Sequence, residues 1–200
     1  KKYCTSLSLR DVGGLLKSKI HEERLCGFLA LVQKFQKGKA QERKRIYDFY
    51  IANSGRANNW DLVDLTADKI VGAYLLENQG QEKILYALAH SPNLWKRRIS
   101  IVSTFAFIRK GELEDTFIIS KILLHDPHDL IHKAVGWMLR EAGKRDRQAE
   151  ERFLHAHSHE MPRTMLRYAV EKFPEGKRAK YLRRQNAPSD APKMIKYLLV

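Results

Sequence analysis

Trp60 and Asp64 stand four residues apart in NNWDLVD, a spacing that puts an indole and a carboxylate on one face of a helix. A carboxylate beside an electron-rich ring can stabilise developing positive charge or accept a proton from water. Further along, Lys96, Arg97 and Arg98 form a run of cations, and Trp137, Arg140 and Lys144 follow one another at helical spacing. Arg163 and Arg167 repeat the four-residue step near the end. Cations aligned on one face would neutralise phosphates, although a charge run also suits a solvated face. Taken singly, Asp64 also fits a carboxylate near a helix N-terminus, and Trp60, Trp95 and Trp137 fit core packing.

Other residues of reactive type carry less. His155, His157 and His159 in HAHSH lie two apart, which points successive side chains to different faces of a helix, so no metal site is expected. His21 and His132 open helices and suit caps or packing. Cys4 and Cys26 form no CxxC pair, which argues against a disulfide framework or structural zinc, and Cys26 beside Leu25 reads as a small buried hydrophobe. No cofactor is expected.

The elements that must position these groups are helices. Helical periodicity runs through the 200 residues without convincing strand alternation, and 44% hydrophobic content supports a folded core. The expected helices are 8–17, 20–36, 40–54, 59–77, 81–90, 93–109, 112–124, 128–144, 147–158, 161–173 and 175–185. Gly38, Gly55, Gly80 and Gly111 mark breaks that need left-handed or flexible backbone. Pro92 and Pro127 precede new helices, with Ser91 and Asp126 as expected caps. The 37 Lys+Arg against 23 Asp+Glu leave a net charge of +14, which calls for an anionic partner. No run reaches the roughly 18 apolar residues of a membrane span, and KKYCTSLSLR lacks a signal peptide's apolar core. The location that follows is the cytosol, in a bacterium the cytosol or nucleoid.

Helix starts can be superposed: IHEERLCGF, WDLVDL, LWKRRISIV, LIHKAVGWM and MPRTMLRYA share an apolar slot at Leu25, Leu65, Ile99, Val135 and Leu166. The slots are 40, 34, 36 and 31 residues apart, in the range of HEAT-type repeats. Stacked helix pairs of that kind form a solenoid with a concave surface, on which equivalent positions form a row. One residue before each slot lie Arg24, Asp64, Arg98, Ala134 and Met165, so the concave surface is expected to be basic with a single carboxylate.

NNWDLVD (58–64), LWKRRISIVSTFAFIRKG (94–111), DLIHKAVGWMLREAGKRD (129–146) and EMPRTMLRYAVEKF (160–173), with IHEERL (20–25) ahead of them, resemble in order and spacing the blocks of the AlkD-like DNA alkylation repair family. The resemblance covers residues 1 to about 184. It implies one domain over 1–185, without the family's further N-terminal helices, and a tail of unassigned role over 186–200. It also implies that Trp60, Asp64 and Trp137 are the catalytic aromatic–carboxylate–aromatic set and that Arg98 meets the DNA backbone near the lesion. Arg97, Lys96, Arg140, Lys144, Arg163 and Arg167 are further candidates for phosphate contact. The implied activity is that of a monomeric, metal-free DNA glycosylase acting on N3- or N7-alkylated purines in double-stranded DNA. The alternative is a non-catalytic helical scaffold binding nucleic acid or protein through the same surface.

Overall fold

The structure, a computed structural model, describes residues 7–184. It is all-α, with no strand among the described residues. The first helix, α1 (Leu9–Leu16), starts at a capping box in which Ser8 Oγ accepts from Asp11 N at 3.2 Å and Asp11 Oδ2 accepts from Ser8 N at 2.9 Å. There follow α2 (His21–Lys37), α3 (Ala40–Ala52), α4 (Trp60–Asp64), a π turn (Asp68–Gly72) and α5 (Ala73–Glu77). Then come α6 (Lys83–Ala89), α7 (Leu94–Ser103), α8 (Phe105–Lys110), α9 (Glu114–Ile122), α10 (Asp129–Arg145), α11 (Arg147–His157), α12 (Arg163–Ala169) and α13 (Glu175–Arg184).

Two expected helices are broken, for local reasons. The segment 59–77 turns after Asp64, where the Thr66 hydroxyl bonds back to Leu62 O and also meets Tyr50 Oη at 2.9 Å. The segment 93–109 breaks at Thr104, whose hydroxyl donates to Ile101 O at 2.7 Å. Ser91 and Asp126 are not the caps. Asn93 Oδ1 accepts from Trp95 N and Lys96 N, and His128 Nδ1 from Leu130 N, while Ser91 and Asp126 accept from the backbone N–H of those two cap residues. Of the four glycines expected at breaks that need left-handed or flexible backbone, Gly80 and Gly111 are left-handed, with φ of 90° and 84°, whereas Gly38 is extended and Gly55 lies in a 3-10 turn.

The helices form two layers. In one, α2, α4, α7, α10 and α12 stack in sequence, each on the next; α3, α6, α9, α11 and α13 back them. Each stacked helix contributes fully buried apolar side chains, among them Phe28, Leu62, Ile99, Val135 and Leu166, and each such burial stabilises the fold by roughly 1.5–3 kcal/mol. At Gly136 a Cβ would lie 2.4 Å from Met165 O, so only glycine allows α12 to come this close to α10.

The repeat is real but its register differs from the one read off apolar slots. Leu65 is 40% exposed, because Leu62 and Val63 supply the core side of α4. The N-caps of the five stacked helices are Ile20, Asn59, Asn93, His128 and Pro162. Counting five residues from each gives the row Leu25, Asp64, Arg98, Lys133 and Arg167. Asp64 and Arg98 keep their expected places; Arg24, Ala134 and Met165 leave the row, the last two for the core. An independent sign agrees for α2. Arg24 Nη1 donates to the carbonyls six and five residues before it, Ser18 and Lys19, and Arg97 Nη1 does the same to Ser91 and Pro92, so Arg24 is the counterpart of Arg97.

Cys26 is exposed rather than buried, because α2 turns Gly27, Phe28, Leu31 and Phe35 inward and leaves Cys26 at its edge. Cys4 and the 186–200 tail lie outside the described residues. No helix among the described residues is long and apolar enough to cross a membrane.

Candidate active site

Helix α4 is only five residues long, and its two buried members decide where the others point. Leu62 and Val63 are fully buried, which turns Trp60 and Asp64 to the open side of the layer. Asp61, the other acid of α4, turns back: its Oδ2 lies 2.8 Å from His21 Nε2 and its Oδ1 accepts from Leu62 N. Trp60 is 54% exposed.

Asp64 is held by a two-pronged ion pair. Arg98 Nε donates to Oδ1 and Nη2 to Oδ2, both at 2.8 Å, and Nη1 donates to the Leu130 carbonyl. One guanidinium thereby ties α4, α7 and α10 together, with planar geometry that lysine could not reproduce. Arg98 is buried, at 5% exposure, so the residue expected to reach the DNA backbone spends its donors on Asp64 and Leu130.

From α10, Trp137 reaches the same space. Its half-buried ring leans on Phe105, with centroids 5.7 Å apart and a 53° tilt. Trp60, Asp64, Arg98, Leu130, Lys133, Trp137, Arg140 and Tyr168 together line a cavity of about 370 Å³. The three residues marked by the resemblance as catalytic therefore converge on one cavity, which brings a carboxylate and two indoles together. A larger groove of about 570 Å³ runs past Leu25, Leu29, Val32 and Leu65 at the neighbouring end of the layer. It is mostly apolar, and its one carboxylate, Glu22, has no indole beside it in the lining.

The expected phosphate contacts separate. Arg97 is drawn away from the cavity to Asp126, 3% exposed, with its Nε 2.5 Å from Oδ2. Arg140 lines the cavity but bonds Glu141 and Glu171, and Lys144 Nζ lies 2.7 Å from Glu141 Oε2. Arg163 is exposed and donates to Leu182 O at 3.2 Å. Lys96 is half-exposed and Arg167 exposed, and neither forms an ion pair among the described residues. His157 packs on Phe153, while His155 and His159 are exposed on the far side of α11 and its end.

Lys133 and Tyr168 line the cavity without having been singled out in the sequence. Asp129, 2.7 Å away, holds the Lys133 ammonium above its ordinary pKa through a hydrogen bond. A signal for Lys133 was present, since Lys133 precedes Trp137 by four just as Trp60 precedes Asp64. Tyr168 depends on the close approach at Gly136, where a Cβ would come within 2.5 Å of Tyr168 Cβ.

A two-layer helical stack of this kind has a counterpart among solved structures. A predicted DNA alkylation repair enzyme from Enterococcus faecalis is similar over 87% of this chain and 81% of its own, with a TM-score of 0.69. At 16% identity, that likeness is one of fold. No curated protein matches the sequence. The family model for DNA alkylation repair enzymes matches residues 1–173, and the chain belongs to that family.

Proposed function

We propose that the protein is a DNA glycosylase that hydrolyses the N-glycosidic bond of N3- and N7-alkylated purines in double-stranded DNA. The observation that carries this reading is the convergence of Trp60, Asp64 and Trp137 on one open cavity. Alkylation at purine N3 or N7 gives the base a positive charge. When the C1′–N bond breaks, its electron pair leaves with the base, which departs neutral without a proton donor, and positive charge passes to the sugar. The hydroxyl of a water then bonds to C1′, and its proton goes to Asp64 or to solvent.

Asp64 supplies negative potential where that charge develops, which is the most effective place for a fixed charge to act. Trp60 and Trp137 offer π faces to the cationic nucleoside, each worth about 0.5–2 kcal/mol depending on desolvation. Neutral purines can stack on these faces but lack the cation–π gain, so the site favours charged lesions. Arg98 acts through Asp64, fixing the orientation of its carboxylate through both oxygens. Lys96, Lys133, Arg140, Lys144, Arg163 and Arg167 are proposed to meet phosphates around it.

The test is incubation of methylated duplex DNA with the protein, scored for free 3-methyladenine or 7-methylguanine and for alkali-labile abasic sites. A glycosylase produces both, whereas a binding scaffold shifts the duplex in a gel and releases neither.

A further inference from the structure

Trp137 is held by more than its own helix. The π turn that follows Asp64 begins with Asp68, which is 3% exposed, and its Oδ2 lies 2.7 Å from Arg109 Nη2. The other oxygen of Asp68 is buried and has no hydrogen-bond partner. The guanidinium of Arg109 sits over the ring of Phe105, 4.4 Å from its centroid, and Phe105 is the ring on which Trp137 leans. These contacts run unbroken from the segment carrying the acid to the indole across the cavity.

The turn itself is clamped at its far end. A Cβ on Gly72 would lie 2.1 Å from Ser103 O and 2.8 Å from Ala106 Cβ, so the turn is seated on the junction of α7 and α8 with no room to slide. Single π turns inside helices recur at functional sites, where they redirect side chains at a cost in helix regularity. This turn aims Asp68 at Arg109. Arg109 and Phe105 are one helical turn apart on α8, so the ion pair fixes the cation and the cation fixes the ring.

We propose that Asp68, Arg109 and Phe105 form a strut of positioning residues that sets the ring of Trp137 against the segment bearing Asp64. None of the three lines the cavity. This inference rests on the glycosylase reading for its activity test, and on Trp137 alone for its spectroscopic one. A misplacement of about 1 Å at a reacting centre can cost a hundredfold in rate, so a ring freed to tilt should cost roughly tenfold or more.

Two variants of the full chain test it: Arg109→Ala, and Asp68→Asn with Arg109→Gln, which removes the ion pair without stranding a buried charge. Both should slow single-turnover release of 7-methylguanine roughly tenfold or more, with DNA affinity within about twofold of the parent. Arg109→Lys, which keeps a cation over Phe105 and beside Asp68, should recover most of the rate. In a Trp60→Phe, Trp95→Phe background, where Trp137 is the sole indole, Arg109→Ala should shift emission to the red and increase acrylamide quenching. Unchanged emission and quenching would overturn the strut whether or not base is released. Unchanged release in both variants, with Asp64→Asn inactive, would overturn it while leaving the glycosylase reading intact; no release by the parent would overturn the reading itself.

Discussion

The ion pair between Asp64 and Arg98 makes the catalytic proposal quantitative. A sugar cation forming about 4 Å from the Asp64 carboxylate gains about 4 kcal/mol at an effective dielectric of 20. The guanidinium paired with that carboxylate, if it stands about 8 Å from the same point, opposes it by about 2 kcal/mol. The intact pair therefore supplies about 2 kcal/mol, or about thirtyfold in rate. Asp64→Asn removes the favourable charge and leaves the opposing one, a loss of about 4 kcal/mol, or close to a thousandfold. Adding Arg98→Met removes the opposing charge, so the double variant should release base about thirtyfold faster than Asp64→Asn alone. The assay is single-turnover release of 7-methylguanine under enzyme excess, at a temperature where thermal melts show every variant folded. That control matters because breaking a buried ion pair from one side typically costs about 3–5 kcal/mol of stability. A double variant no faster than the single one would refute the electrostatic account and leave Asp64 as a proton acceptor for water.

Replacing Arg167, an unpaired member of the row, with Ala should lower the slope of log affinity against log salt by about 1, as loss of one phosphate contact does. Arg98→Ala, at a buried position, should leave that slope unchanged; titrations from low to moderate salt distinguish the two. Arg97→Ala should act on stability, costing about 3–5 kcal/mol by stranding the buried Asp126, while base release per folded molecule is retained. Glu150 is 1% exposed, and burial pushes its carboxyl up to about 8, with Arg147 opposing the shift. A raised acid holds its proton in the folded state longer than in the unfolded one, so its contribution is complete below about 4.5 and is lost as pH rises toward about 8. Glu150→Gln should therefore raise the melting temperature at pH 8 more than at pH 5, and an equal change at both would contradict the burial argument.

Element type was legible because periodicity and punctuation agree along most of the chain. What periodicity could not show was side-chain competition for backbone groups. Thr66 and Thr104 read as helix interior, yet their hydroxyls bond within the last turn and stop it. The repeat was legible too, but an apolar slot is a loose ruler, since any of three or four neighbouring positions can face the core. The caps are a sharper one, and counting from them exchanges Ala134 and Met165 for Lys133 and Arg167. Trp60, Asp64 and Trp137 were legible by type and family resemblance; their convergence was not, because it depends on the burial of Leu62 and Val63 and on contacts between residues 32 or more apart in sequence. Arg98 and Arg97 show the limit of reading charge runs. Neighbours in sequence, they point to Asp64 and Asp126 on opposite sides of one helix.

The +14 charge and the cavity make opposite demands, and the ion pairs reconcile them. Positive potential at long range draws in a polyanion and speeds its encounter. A cation formed inside the site needs the reverse, and each unpaired cation about 8 Å from it would cost about 2 kcal/mol at an effective dielectric of 20. The cations lining the cavity are all matched: Arg98 by Asp64, Lys133 by Asp129, Arg140 by Glu141 and Glu171. Two candidates for phosphate contact without an ion pair among the described residues, Lys96 and Arg167, lie outside the lining. A phosphate reaching Lys133 or Arg140 meets a cation already paired with Asp129 or with Glu141 and Glu171, so these contacts add less net affinity than an unpaired cation would. A basic surface that attracts a polyanion, and a cavity whose other cations are paired so that only Arg98 opposes Asp64, suit the proposed base release, and a surface built only to hold DNA would have no reason to neutralise its own centre.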